Sequence, residues 1–103
     1  MIVSIDLTII PLGVGQSLSK HIAACKVEIE NRGLDYELGP NGTAIEGEWD
    51  EVFDCVKACH ESLHSVGVVR IFSTLKVNTR IDRKTSFRTK VESVNSIISD
   101  QNS

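Results

Sequence analysis

Apolar and polar residues alternate across residues 2–10, with Val3, Ile5, Leu7 and Ile9 on one face and Ser4, Asp6 and Thr8 on the other. That period of two predicts a strand with one buried and one polar face. Pro11 is expected to end it, Gly13 and Gly15 to form a loop, and Ser17 to cap the next element. Leu18, Ile22, Cys25 and Ile29 then make a helical stripe, with Gly33 as its stop. Two short strands are predicted at 35–39 and 43–48. A second helix over 51–66 carries Val52, Phe53, Val56, His60 and Leu63, and Gly67 stops it. From Val68 to Arg80 the period returns to two. Val69, Ile71, Ser73, Leu75 and Val77 oppose Arg70, Phe72, Thr74, Lys76 and Asn78. A third helix presents Phe87, Val91, Val94 and Ile98 on one stripe.

The order is β-α-β-β-α-β-α. Two βαβ-type halves joined by a hairpin give an α+β, ferredoxin-like sandwich. The sheet is expected to be four-stranded and antiparallel, with an extra C-terminal helix. Residues 1–99 form one domain in this reading, and the polar residues 100–103 a frayed tail. Two helices cover one sheet face and the other stays open. On that face belong Ser4, Asp6 and Thr8, with Phe72, Thr74 and Lys76 from the last strand. Such a mixed surface suits a ligand or another sheet. A one-residue slip in register would exchange the faces.

The hairpin segment Tyr36–Asp50 is the densest in local signals. Asn41-Gly42 between extended runs marks a turn, since both residues tolerate positive φ. Asp50 stands before an apolar-periodic run, where its carboxylate is expected to cap the helix.

With 103 residues, the chain has room for one modest core. Its composition, 41% hydrophobic and 24% charged, is that of a soluble globular protein. A net charge of −3 argues against a general nucleic-acid binder. The first residues lack a basic leader and no run is long enough for a bilayer, so a cytosolic location and no membrane association are expected. Three cysteines then read as reduced thiols. Asn41-Gly42-Thr43 fits a glycosylation sequon, but turn chemistry explains it as well.

Candidate chemistry centres on Thr43, Glu46 and Trp49. A carboxylate, a hydroxyl and an indole are the groups that hold a small heteroaromatic ring. The plain alternative is a strand Thr, an exposed Glu and a Trp covering the core edge. Asp6 and Lys76 could form a cross-sheet ion pair, worth about 0–1 kcal/mol, or Asp6 could meet a ligand. Cys55, Cys59, His60 and His64 resemble metal ligands in composition only. Cys55 and His64 fall on opposite sides of the helix, so one ion cannot collect all four, and no metal is expected. Gly13-Val14-Gly15 falls short of a dinucleotide fingerprint and there is no P-loop, so no cofactor is expected. The basic run Arg80, Arg83, Lys84, Arg88 and Lys90 is broken by Asp82 and reads as a solvated loop. No nucleophile, base and orienting group stand in a recognisable arrangement, so the chain does not read as an enzyme.

Several segments, taken in order, resemble the small thiamine-binding, ferredoxin-like protein family. They are Ile9-Ile10-Pro11-Leu12-Gly13, Tyr36-Glu37-Leu38-Gly39-Pro40 and Gly42-Thr43-Ala44-Ile45-Glu46-Gly47-Glu48. His60-Glu61, Thr74-Leu75-Lys76-Val77 leading to Arg80, and Lys90-Val91-Glu92-Ser93-Val94 continue the likeness, which spans nearly the whole chain. The resemblance implies binding of thiamine or its hydroxymethylpyrimidine moiety. It also implies a homotetramer built as a dimer of dimers, with ligand pockets near the sheet face and the hairpin strand. Thr43 and Glu46 fall on the matching motif.

The expected function is therefore a non-catalytic binding protein for thiamine or a related pyrimidine. Glu46 would accept from the ring amino group or protonated nitrogen. Thr43, with Ser4 or Thr8, would complete the hydrogen bonding, and Phe72 or Trp49 would pack on the ring. A rival expectation is a structural protein whose open face serves only self-assembly. A third, an enzyme or redox protein using Cys55/Cys59 or the histidines, has least support.

Overall fold

The computed structural model describes residues 1–15, 18–83 and 86–102. The expected cap at Ser17, and Lys84 of the basic run, lie outside them. The elements follow the expected order: β1 (Ile2–Leu12), α1 (Leu18–Asn31), β2 (Asp35–Leu38), β3 (Thr43–Glu48), α2 (Trp49–Ser65), β4 (Arg70–Thr79) and α3 (Phe87–Asn102). The sheet is antiparallel with strand order β2-β3-β1-β4.

Register fixes the two faces. Ile5 stands opposite Ile45 and Val77, and Leu7 opposite Thr43 and Leu75. Val3, Ile5, Leu7 and Ile45 are buried there beneath Cys25 and Ile29 of α1 and Val52, Cys55, Cys59 and Leu63 of α2. These side chains form the core. The α2 stripe is rotated from the expected one: the fully buried residues are Val52, Cys55, Cys59 and Leu63, while Phe53, Val56 and His60 flank them half-buried. Cysteine is apolar enough to occupy core positions.

Pro11 does not end β1. The strand continues to Leu12, with Pro11 opposite Ile71 and Leu12 opposite Arg70. Pairing with β3 stops at Leu7. Beyond that point β1 has one neighbour, and an edge tolerates the missing N–H of proline. The strand β4 is shorter than expected because α2 ends in a Schellman closure. Gly67, at φ 97°, donates to the His64 carbonyl at 3.1 Å, and Val68 donates to the Leu63 carbonyl at 3.1 Å. Val68 and Leu63 are both buried, which completes the closure with an apolar contact.

The helix α2 begins earlier than its sequence signal. Glu48 holds the cap position with extended φ and ψ and makes no side-chain cap bond. Asp50 is in the first turn, where its charge favours the helix dipole without capping it. The Glu48 carboxylate instead accepts from the Met1 ammonium at 3.0 Å, and Trp49 donates its N–H to the Met1 carbonyl at 2.9 Å. The start of the chain is thus sewn to the start of α2.

The helix α3 runs through Asn102, past the start of the expected tail. It packs on no layer of the sandwich, and only Phe87 among its described side chains is half-buried. The radius of gyration, 15.7 Å with extents of 52 × 31 × 21 Å, exceeds the roughly 13 Å of a compact chain this long. No helix of the described residues is long and apolar enough to cross a membrane.

Candidate functional site

The hairpin joining β2 to β3 is closed by a four-residue loop, Gly39 to Gly42. Gly39 donates to the Gly42 carbonyl at 2.8 Å, and the ladder resumes at Leu38 opposite Thr43. Neither Asn41 nor Gly42 has positive φ, so the turn is not the two-residue type that Asn-Gly suggested. Glycine serves at 42 for another reason. A Cβ there would stand 2.8 Å from Asp6 Oδ1 and 3.3 Å from the Leu7 carbonyl oxygen. Thr8 Oγ1 donates to the Asn41 carbonyl at 2.9 Å. The loop is thereby pinned against β1.

Behind this loop lies a cavity of about 270 Å³ between the end of β1, the first half of α1 and the hairpin. Leu18 and Ile22, expected in the core, line it instead, together with Leu7, Ile9, Tyr36 and Leu38. Its polar groups are Thr8, Thr43, His21, Lys26 and the segment Gly39 to Gly42. The Tyr36 hydroxyl donates to Glu30, and that carboxylate also lies 3.8 Å from Lys26 Nζ. Hydrogen bonding to Glu30 raises the Tyr36 pKa, so the phenol stays protonated and its ring is held in the wall. No carboxylate lines this cavity among the described residues.

A second, broader cleft of about 610 Å³ lies on the open face, between Ser4 and Glu46 of the sheet and the Arg80–Lys90 segment. Glu46 is not idle there. Its Oε2 accepts from the Phe87 N–H at 3.0 Å, meeting one of the free donors that start α3. The next residue completes a clasp. The Arg88 guanidinium pairs with Asp35 at 2.9 Å and Glu37 at 2.8 Å, and donates to the Tyr36 carbonyl at 3.0 Å. Arg88 beside Asp35 holds that carboxyl below the ordinary range. Arg80 pairs with Asp82. Arg80 and Arg88 of the basic run are therefore paired with carboxylates rather than simply solvated.

The eight expected site residues do not converge. Thr43, opposite Leu7, faces the helices and lines the cavity; Glu46, opposite Ser4, faces away from them. Their separation of three positions in a strand places them on opposite faces. Ser4 accompanies Glu46 in the cleft, and Thr8 borders the cavity. Trp49 reaches neither; its ring packs 4.5 Å from Phe53 at 34°. Phe72, Asp6 and Lys76 lie on the open sheet face and line neither space, although Asp6 abuts Gly42 at the cavity's edge. Asp6 stands directly opposite Lys76, yet the pair is not among the ion pairs of 4.0 Å or less formed by the described residues.

The thiols and histidines of α2 are engaged within the fold. Cys25, Cys55 and Cys59 are buried and free; the Cys59 thiol donates to the Cys25 carbonyl at 3.7 Å, and the neighbouring Cys25 and Cys55 thiols, with burial, drive its pKa upward. His60 Nε2 lies 2.9 Å from Ser73 Oγ. His64 Nδ1 lies 2.7 Å from the Val68 carbonyl, to which it donates. Among the described residues, no group of three or more His, Cys, Asp or Glu is arranged to hold a metal ion.

A ferredoxin-like sandwich with a mostly apolar, partly open cavity beside a pinned loop has the kind of concave surface that small ligands use. The chain belongs to the thiamine-binding protein family, whose model matches residues 5–95. A UPF0045 protein of Synechocystis is 47% identical over 94 residues, covering 91% of this chain and 78% of that one. One from Methanothermobacter thermautotrophicus is 39% identical over 94 residues, covering 89% and 95%. Among solved structures, a Methanocaldococcus jannaschii protein superposes with a TM-score of 0.82 at 30% identity, covering 91% of this chain and 96% of its own. A Thermotoga maritima protein assigned provisionally to thiamine biosynthesis or salvage gives 0.78 at 26%, covering 91% and 99%.

Proposed function

We propose that this protein binds thiamine or its pyrimidine moiety without transforming it, and that the ring enters the cavity between the end of β1, α1 and the hairpin. The observation that carries this reading is the cavity itself, in a chain of the thiamine-binding family. Its size is near the lower end of the roughly 300–1,000 Å³ of ligand clefts, which suits one or two small rings. Leu18, Ile22 and Tyr36 offer flat apolar walls. Thr43 Oγ and the hairpin carbonyls are acceptors for a ring amino group. Buried without such partners, that group would cost about 1–3 kcal/mol. Ser4 and Glu46 of the open cleft form the competing site, and Trp49, Asp6, Phe72 and Lys76 have no part in this one.

Calorimetric titration with thiamine and with hydroxymethylpyrimidine tests the reading and its location. Thr43→Val keeps the β-branched shape and removes one hydrogen bond. Weakening of about 2–10-fold is expected from a net 0.5–1.5 kcal/mol, with binding by Glu46→Gln unchanged. The opposite pattern would move the ligand to the open cleft. Absence of binding to the folded wild-type protein would end the proposal.

A second reading, self-association into a homotetramer arranged as a dimer of dimers, has its own observation. Ile10 and Phe72 on the sheet and Val91, Val94 and Ile98 of α3 are exposed, and exposed apolar patches mark interaction sites. A cytosolic location remains the expectation for such a carrier.

A further inference from the structure

The clasp does not use up the basic run around the start of α3. Arg88 reaches back over β2 to Asp35 and Glu37. Two positions on, about 200° around the helix, Lys90 lines the broad cleft of the open face together with Arg80 and Arg83. Asp82 grips Arg80 at Nε and Nη2, which fixes the guanidinium plane and leaves Nη1 outside the pair. Arg83 and Lys90 take part in none of the ion pairs formed by the described residues. Three cations on one cleft are not the overflow of a basic surface, since the chain carries 14 acidic against 11 basic residues. The floor of the cleft is the row of Glu46, Ser4 and Asn78, adjacent across β3, β1 and β4. Ser4 and Asn78 supply neutral donors there. Glu46 is the one carboxylate lining the cleft among the described residues, and its Oε2 is engaged by the Phe87 N–H. Ile2 and Phe87 add apolar wall.

We propose that this cleft binds a small phosphate monoester, its phosphoryl group held by Arg80, Arg83 and Lys90 and its organic group resting against Ile2 and Phe87. Arg83 and Lys90 beside a fixed Arg80 suit a phosphoryl group, which carries about −1.5 to −2 charges at pH 7 and three acceptor oxygens. A carboxylate, with one charge and two oxygens, is satisfied by a single arginine. The cleft volume, about 610 Å³, exceeds what an inorganic ion fills and lies within the roughly 300–1,000 Å³ of sites for small organic ligands. Ser4 and Glu46 face away from the helices that cover Thr43, so this site and the cavity are tested apart.

The test titrates isotope-labelled protein with phenyl phosphate and follows the backbone amide resonances. Saturable shifts are expected in residues 78–83 and 86–90, with residues 39–43 of the hairpin unmoved. Arg83→Gln and Lys90→Gln should each weaken binding about tenfold, the loss expected for a hydrogen bond between charged groups. Lys90→Arg, which keeps the charge, should retain most of the affinity. Circular dichroism and unchanged hairpin resonances check that each variant folds as wild type. The absence of saturable shifts, shifts confined to the hairpin, or equal affinity in the two neutralised variants would overturn the proposal. So would inorganic phosphate binding as tightly as phenyl phosphate, the mark of an adventitious ion only. Benzoate binding as tightly as phenyl phosphate would overturn it too, by making the cleft a carboxylate site.

Discussion

Gly47 sits on the buried face of β3 opposite Val3, where β2 enters the sheet. A Cβ built there would lie 2.7 Å from Leu34 Cδ2 and 3.4 Å from Val52 Cγ2. Ordinary contact begins near 3.4 Å, so Gly47→Ala requires Leu34 to retreat by about 0.7 Å, the difference between the two distances. Leu34 is a core residue and Val52 is fully buried, which leaves little room. Overpacking of this kind costs about 1–3 kcal/mol. The backbone of residue 47 is outside the positive-φ region, so alanine also recovers about 0.4–1 kcal/mol by restricting the unfolded chain. The net is a loss of about 1–2 kcal/mol, or a fall in Tm of about 5–10 °C for a domain this size. The diagnostic experiment is a double-mutant cycle by urea denaturation. Leu34→Ala alone should cost about 2–3 kcal/mol, but it vacates the space the new methyl needs. In that background Gly47→Ala should be neutral or stabilising, giving a coupling of about 1 kcal/mol or more. Equal destabilisation in both backgrounds would show that glycine is needed at 47 for some reason other than Leu34.

Leu63→Ala should lose about 2–5 kcal/mol, because Leu63 is fully buried and part of the α2 closure; chemical denaturation reads it, and a smaller loss would mean the core collapses around the gap. Arg88→Ala should free the start of α3, seen as lost amide protection in residues 87–91 with β1 unaffected, and change global stability little because the pairs are exposed. The same clasp should respond to acid. Arg88 depresses the Asp35 pKa, so the contribution is complete above the ordinary carboxylate value of about 4 and disappears as pH falls through the lower folded value. Loss of α3 protection near neutral pH would contradict this sign. The three native thiols should resist a water-soluble thiol reagent in the folded protein and react on unfolding; fast labelling of the native state would refute their placement in the core.

Patterns of period two and 3.6 sufficed to order the elements, because burial of one face is a local property that each segment records by itself. They also assigned Val3, Ile5 and Leu7 to the core and Phe72 and Lys76 to the open face. Other features depended on distant neighbours. Pro11 stays within β1 because β3 has already ended beside it. Gly42 answers to the approach of Asp6 and the Leu7 backbone, and Gly47 to Leu34, rather than to a turn. Thr43 and Glu46 were grouped by proximity along the chain, but the alternation of the strand sends them to opposite sides of the sheet. The cavity was illegible in Leu18 and Ile22, whose spacing is that of core residues, since an unfilled volume is a property of how layers meet. Arg88 read as part of a solvated loop until β2 brought Asp35 and Glu37, some fifty residues earlier, within hydrogen-bonding reach. Local physics determines which face of each element is apolar, and only the packed layers determine what that face meets.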